Sequence, residues 1–171
     1  MKTTLKIASV LTWFNLVFWG LITGVMLLAV LSSLYIPFLI VPVLMSAIPL
    51  NCYASLSLHR SIRRPNLPLS SQAPVGIRFV GFIALFFGIS GFFSGLEIVG
   101  SAKDVLVSVR EQFAQMKDMP QVQEQYKNLN VTDVRNMGIS ALILGAFIVV
   151  NVVLNLRLLR WYYLVKKSDV S

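Results

Sequence analysis

The stretch VGIRFVGFIALFFGISGFFSGLEIVG, residues 75–100, decides the fold class of this chain. It contains one basic residue, Arg78, near its start and one acidic residue, Glu97, near its end. At about 1.5 Å of rise per residue, a helix of this length crosses the roughly 30 Å hydrocarbon core of a bilayer. The stretch therefore predicts a membrane-spanning helix.

Three further apolar runs follow the same pattern, at residues 7–31, 34–58 and 137–163. The first is too long for a signal-peptide core of about 7–15 residues, so we expect it to be retained. The chain is 56% hydrophobic and 13% charged, against about 45–50% and about 25% in soluble domains. We predict an all-α integral membrane protein: a four-transmembrane-helix bundle in a single membrane domain, residues 1–171.

The second run contains two interior prolines, Pro42 and Pro49. Each removes a backbone hydrogen bond and should bend the helix. After this run, residues 59–74 form a basic segment with several prolines, which we expect to be a loop.

The charges fall into two groups when the four runs are placed across a bilayer. Segment 101–136 carries five basic and five acidic residues, whereas the termini, loop 59–74 and Arg78 together carry ten basic residues and one acidic residue. Basic residues accumulate on the cytoplasmic side of membrane proteins, so we expect both termini in the cytoplasm and, given the compact loops, a bacterial inner membrane. We expect anionic lipid headgroups to contact the basic cluster on that side, which comprises Arg60, Arg63, Arg64, Arg157 and Arg160.

Segment 101–136 shows a heptad pattern, which predicts that helices 3 and 4 extend into an extracytoplasmic helical hairpin. The third helix would run continuously to about Met119, or break within the glycine-containing residues 91–100. Thr132 is the expected N-cap of the fourth helix. The hairpin would either cap the bundle or present a partner surface made of the heptad residues Leu106, Val109, Phe113 and Met116.

Small residues recur at helical spacing in the last two spans. Helices associate in lipid through close packing at small residues, so this pattern predicts a packing seam. The third helix would contact the fourth helix of the same chain or a second copy. The seam comprises Gly81, Ala84, Gly88, Gly91, Gly95, Gly138, Ala141 and Gly145, and the first span adds a Gly20-x-x-x-Gly24 pair.

Polar residues within the apolar runs are the candidates for a functional site. Glu97 is either an interfacial carboxylate or a proton- or cation-handling group. Four asparagines at about the same predicted depth would form a polar cluster around Cys52, either as interhelical contacts or as a small polar site. These are Asn15, Asn51, Asn151 and Asn155. We interpret the single histidine, His59, as an interface residue beside arginines.

The spacing of polar residues assembles no catalytic triad, no phosphate-binding glycine loop and no metal-ligand cluster. We therefore expect no enzymatic activity, no cofactor and no nucleic-acid partner. The favoured function is a structural or interaction subunit that contacts the bilayer and other membrane proteins or itself, through its glycine seam and outer hairpin. The alternative is a subunit of an oligomeric channel or transporter that uses Glu97 and the intramembrane asparagines.

Overall fold

The regular elements are all helical in the computed structural model, which describes residues 2–33, 39–64, 66–114 and 128–168. A π-helix at Gly76–Val80 joins α4 to α5. In chain order the α-helices are α1 (Lys2–Ser33), α2 (Ile40–Met45), α3 (Ala47–Arg63), α4 (Ala73–Val75), α5 (Gly81–Gly100), α6 (Ala102–Ala114) and α7 (Val131–Ser168).

Four helical segments of the described chain are long and apolar enough to cross a membrane: Thr3–Ser32, Ile40–Arg63, Ala73–Gly100 and Val131–Val165. The all-helical fold class and the four apolar helices expected from the sequence are therefore confirmed. The helices at both ends of the chain extend beyond the predicted runs, because hydropathy marks only their apolar middle parts.

The second segment divides at Ser46, between its two interior prolines. Pro49 lacks an N–H group, so the carbonyl of Met45, four residues earlier, loses its usual helical donor, and α2 ends at that residue. The Ser46 N–H still donates to the Pro42 carbonyl at 2.9 Å, and the Leu50 N–H to the Ser46 carbonyl at 3.0 Å. Both bonds join residues four apart, so the α-helical hydrogen-bond pattern continues on either side of the interruption.

Helix α3 continues to Arg63, so the start of the loop predicted at residues 59–74 is wrong. Four of the five residues 59–63 are polar or charged, but the segment remains helical, because Leu58, Ser61 and Ile62 pack inward on the same turns. The connection that precedes α4 is correspondingly shorter than expected.

Contacts divide the chain into a first unit, Met1–Gly88 with Phe147–Ser171, and a second unit, Ile89–Ala146. The first unit contains two apolar clusters. One joins Ala8, Leu58, Ile77, Leu158 and Leu159, and therefore α1, α3, the π-helix and α7. The other is formed by the buried residues Ile48, Ala84, Ile148 and Val152.

The second unit contains a smaller apolar cluster of Ala102, Leu106 and Val134, which joins α6 to the start of α7. Helix α5 passes through Gly91 and ends at Gly100, so the helix does not break between those glycines. The Ser101 N–H donates to the Glu97 carbonyl at 2.9 Å, and the Val105 N–H donates to the Ser101 carbonyl at 3.0 Å. The helical hydrogen-bond pattern therefore continues from α5 into α6.

The start of α7 differs from the sequence expectation. The Asp133 N–H donates to Asn130 Oδ1 at 2.9 Å, and the Asn130 N–H donates to Asp133 Oδ2 at 3.0 Å. This reciprocal pair makes Asn130 the N-cap, and the prediction of Thr132 in that role is wrong, because the helix already includes Val131.

Candidate functional site

A network of buried polar side chains joins α1 and α7 inside the first unit. Thr12, Asn151 and Asn155 are each at most 2% exposed. The Thr12 hydroxyl donates to Asn151 Oδ1 at 2.7 Å. Asn155 Nδ2 donates to the same oxygen at 3.0 Å and to Thr12 Oγ1 at 3.2 Å. The three side chains therefore form a closed set of hydrogen bonds between two helices.

Helix α3 contributes two more side chains to this network. His59 Nε2 lies 2.7 Å from Asn155 Oδ1, and Asn151 Nδ2 donates to Cys52 Sγ at 3.5 Å. His59 and Cys52 are both buried, at 2% and 1% exposure. The network therefore links three of the four apolar helical segments through side chains.

The orientation of the neighbouring amide groups determines which tautomer of His59 suits this contact. Asn155 uses its amino group on Asn151 and Thr12, so its oxygen faces His59 and must accept. Reversing Asn155 alone would place its amide oxygen against Asn151 Oδ1, which is repulsive. In the orientations that the structure gives these amides, His59 Nε2 donates its hydrogen to Asn155 Oδ1, while Nδ1 is buried without a partner among the described residues.

The network is suited to a structural contact between helices and not to proton transfer. Carboxamide side chains donate and accept hydrogen bonds but do not ionise at the pH values of aqueous solutions. Two of the linking groups, Asn151 and Asn155, are carboxamides, so protons cannot pass along the network through them. The arrangement suits holding helices in register.

Asn15 and Asn51 are also buried but donate to backbone oxygens. Asn15 Nδ2 donates to the Leu11 carbonyl at 3.0 Å and to the Phe147 carbonyl at 3.4 Å. Asn51 Nδ2 lies 3.3 Å from the carbonyl oxygens of both Gly76 and Ile77, at the start of the π-helix. The Oδ1 atom of each asparagine is buried without a hydrogen-bond partner.

The structure thus brings some of the expected polar residues together and separates others. Asn151 and Asn155 share one network with Cys52, whereas Asn15 and Asn51 contact backbone groups. Glu97 belongs to the second unit, and its side chain is exposed. No described residues form a group of three His, Cys, Asp or Glu side chains that could hold a metal ion.

Sequence reasoning missed Thr12 and gave His59 the wrong surroundings. His59 was expected at an interface beside arginines, and it is buried in the network instead. A signal was present in the sequence: Asn51, Ser55 and His59 are four residues apart, which places them on one face of a helix. Their common face turns inward, while Arg60 and Arg63 on the same turns stay exposed.

The glycine seam is closely packed at four of its described positions: Gly81, Gly88, Gly95 and Gly138. A Cβ atom built on Gly88 would lie 3.0 Å from side-chain atoms of Ile148 and Val149. On Gly95 it would lie 2.7 Å from the carbonyl oxygen of Gly138 and from the Leu142 nitrogen, which are backbone atoms. On Gly81 it would lie 2.7 Å from Asn51 Nδ2. At Gly88 and Gly95 the neighbour is α7 of the same chain.

The packing around the small residues varies from position to position. Gly91 has no atom within 4 Å of an added Cβ, and the same is true of Gly20 and Gly24 on α1. A Cβ on Gly138 would meet Ile98 and Val99 at 2.9 Å. Ala84 and Gly145 are buried and Ala141 is half-buried.

The expected partner surface on the heptad segment is partly occupied by the chain itself. Leu106 is buried against Val134, and Val109 is half-buried. The Arg110 side chain donates to the Leu129 carbonyl at 2.7 Å. The side chain of Phe113, and Met116 as a whole, lie outside the described residues.

The basic cluster expected from the sequence lies at the ends of α3 and α7, and its members are exposed. One of them also connects helices, because Arg63 donates to the Ser9 hydroxyl at 3.0 Å. The cluster comprises Arg60, Arg63, Arg64, Arg157 and Arg160.

Comparison with known proteins gave no relative: no family model, no curated protein and no solved structure matches the chain. The case for its function therefore depends on the geometry and chemistry of its own residues.

Proposed function

We propose that this chain is a non-enzymatic membrane protein that acts as a structural or interaction subunit. The observation that carries the proposal is the internal pairing of the buried polar network. A transport pathway needs polar groups that its cargo can reach, whereas Thr12, Asn151 and Asn155 bond to one another and are almost fully buried. Their hydrogen bonds are used to hold α1, α3 and α7 together.

Contacts with partners would then use surfaces that the chain does not cover itself. Gly88 and Gly95 are occupied by α7, but Gly20, Gly24 and Gly91 leave open space in which a neighbouring helix could approach closely. The extracytoplasmic helical hairpin at residues 101–136 is the second surface that we propose for docking. The charge distribution supports cytoplasmic termini, and a bacterial inner membrane is the location that we propose.

The test measures the particle mass of the full chain in mild detergent with native lipid extract, by size-exclusion chromatography with light scattering. We expect a particle heavier than one chain, containing either a second copy or a co-purifying membrane protein. Gly24→Leu should reduce this mass and leave the helical content unchanged, because no atom of another described element lies within 4 Å of an added Cβ there. A strictly monomeric, partner-free wild type would contradict the proposal.

A channel or transporter subunit is the second candidate, favoured by two buried acceptors. Asn15 Oδ1 and Asn51 Oδ1 have no partner in the described structure, and carboxamide oxygens are ligands for hard cations. Ion flux into liposomes that contain the protein tests this candidate, with Asn15→Leu, Asn51→Leu and Glu97→Gln as variants. Flux that these changes abolish would support transport, and a wild type without flux would remove it.

A further inference from the structure

Arg78 and Tyr163 meet at one end of the first unit. The Arg78 guanidinium carbon lies 5.9 Å from the centre of the Tyr163 ring, within the distance at which a cation is attracted to an aromatic face. Stacking uses the plane of the guanidinium and leaves the N–H groups at its edge free to donate. Arg78 makes no hydrogen bond or ion pair with another described residue.

Arg160 is a second donor beside this pair. It precedes Tyr163 by three residues on α7, and side chains at this spacing are neighbours on one helix face, with Cβ atoms roughly 5–6 Å apart. Arg160 is exposed, like Arg78. Arg160 and Tyr163 therefore share one face of α7, and Arg78 lies over the Tyr163 ring on that side.

The position of these groups relative to each other is held by the apolar cluster beneath them. Ile77, next to Arg78, is fully buried and packs in the same cluster as Leu158 and Leu159, which precede Arg160. Tyr162 packs against this cluster as well. The π-helix and the end of α7 are thus fixed side by side.

The described part of the first unit contains no acidic side chain. The two segments of the first unit, residues 1–88 and 147–171, contain ten basic residues and one acidic residue, Asp169, which lies outside the described part. Paired guanidinium groups match the geometry of phosphate oxygens. A phosphate group is therefore the complementary ligand for Arg78 and Arg160.

The surface next to Arg78 is apolar and exposed. Phe82 follows Arg78 by four residues, and Phe86 follows by eight, so they continue the same face along α5. Phe82 is 71% exposed and Phe86 is 64% exposed. A ligand with its phosphate at Arg78 would place an apolar tail along these rings.

We propose that Arg78, Arg160 and Tyr163 form a binding site for the phosphodiester headgroup of an anionic phospholipid, whose acyl chains lie along Phe82 and Phe86. The two arginines hold the phosphate, the tyrosine ring positions Arg78, and its hydroxyl is a further donor. The site requires only that the apolar helices lie in a bilayer, so it can fail while the proposed subunit function stands.

The experiment titrates phosphatidylglycerol or phosphatidylcholine onto the purified full chain in neutral detergent and counts bound lipid by native mass spectrometry. We expect tighter binding of phosphatidylglycerol. Arg78→Gln should weaken it by about fivefold, the factor that corresponds to about 1 kcal/mol for one basic residue near an anionic surface. Arg78→Lys should give a smaller loss, because it keeps the charge but not the planar donor edge.

Arg135→Gln is the matched control, because it removes the same charge from an exposed arginine of the second unit. It should leave phosphatidylglycerol binding unchanged. Arg160→Gln and Tyr163→Leu should each weaken phosphatidylglycerol binding. They test the site independently, including in the case that Arg78→Gln does not fold. Wild-type affinity in all three site variants would overturn the proposal, as would an equal loss in Arg135→Gln. Displacement of the lipid by excess inorganic phosphate would also overturn it, by showing a site for soluble anions.

Discussion

His59 and Asn155 form the shortest side-chain contact between α3 and α7, at 2.7 Å. Both side chains are buried, so neither can replace a lost partner with bulk water. An unpaired buried polar group costs about 1–3 kcal/mol, whereas replacing both partners by apolar groups can be nearly neutral. The measured loss of stability therefore depends on whether one partner or both partners are removed.

A double-mutant cycle tests this contact. We expect His59→Leu or Asn155→Leu alone to lower the free energy of unfolding by about 1–3 kcal/mol. The double variant should lose less than the sum of the two single losses, because it leaves neither of these partners unpaired. Unfolding by a denaturing detergent, followed by circular dichroism, gives the four values.

Asn136→Leu is the control for this cycle, because it changes an exposed asparagine of α7. It should alter stability by less than about 0.5 kcal/mol, as surface substitutions usually do. Strict additivity of His59→Leu and Asn155→Leu would show that the two side chains do not interact in the folded protein.

At the scale of helices, the close approach of α5 to α7 depends on particular glycines. Gly95 faces backbone atoms of α7, which cannot rotate away from an added methyl group. Gly91, one turn earlier on the same helix, has open space around it. The two positions look alike in the sequence but differ in what they face.

We expect Gly95→Ala to destabilise the protein by about 1–3 kcal/mol, the usual cost of overpacking a tightly packed contact. Gly91→Ala should be neutral or stabilising by up to about 1 kcal/mol, because alanine favours the helical backbone more than glycine does. Thermal unfolding in one detergent compares the two. Equal effects of the two substitutions would show that the contact of Gly95 with α7 is absent in the folded protein.

Asn51 shows how a side chain supports an irregular helix. Its amino group faces two carbonyl oxygens at the start of the π-helix, where α-helical hydrogen bonding is interrupted. Gly81 lets this side chain approach, since an added Cβ would lie 2.7 Å from Asn51 Nδ2. The approach of α3 to the third span therefore depends on a polar residue and a glycine together.

At the scale of the whole molecule, the division of charge predicts how the chain lies in its membrane. The basic residues are concentrated in the termini, the connection between the second and third spans, and the start of the third span. Segment 101–136 carries equal numbers of basic and acidic residues. Retention of basic segments in the cytoplasm then predicts cytoplasmic termini.

Single cysteines report this orientation in intact cells. Ser70→Cys should react with a membrane-impermeant maleimide only after lysis, and Asn136→Cys should react before lysis, since both side chains are exposed on predicted opposite sides. The unmodified chain is the control, because its one cysteine, Cys52, is buried and should not react when folded. The reverse labelling pattern would invert the predicted orientation.

The number of helices long and apolar enough to cross a membrane followed from the sequence alone, because an apolar run of sufficient length must satisfy its backbone hydrogen bonds within a helix when it lies in lipid. The sequence predicted a bend at each of Pro42 and Pro49, since a missing N–H is a local property of proline; the structure divides the helix at Ser46 between them, and the bends stay a prediction. The end of α3 did not follow. Polarity at residues 59–63 indicated a loop, whereas packing of the intervening apolar side chains keeps the segment helical.

The sequence by itself determined which residues are apolar, where charge accumulates and which small residues recur at helical spacing. Only the tertiary structure decided which polar residues meet. Pairing depends on the rotation of each helix and on its neighbour, and both are set by contacts between residues far apart in the chain, such as Thr12 with Asn151. The same dependence separates Gly95, which contacts α7, from Gly91, where an added Cβ would meet no other described element within 4 Å, and buries His59 beside exposed arginines.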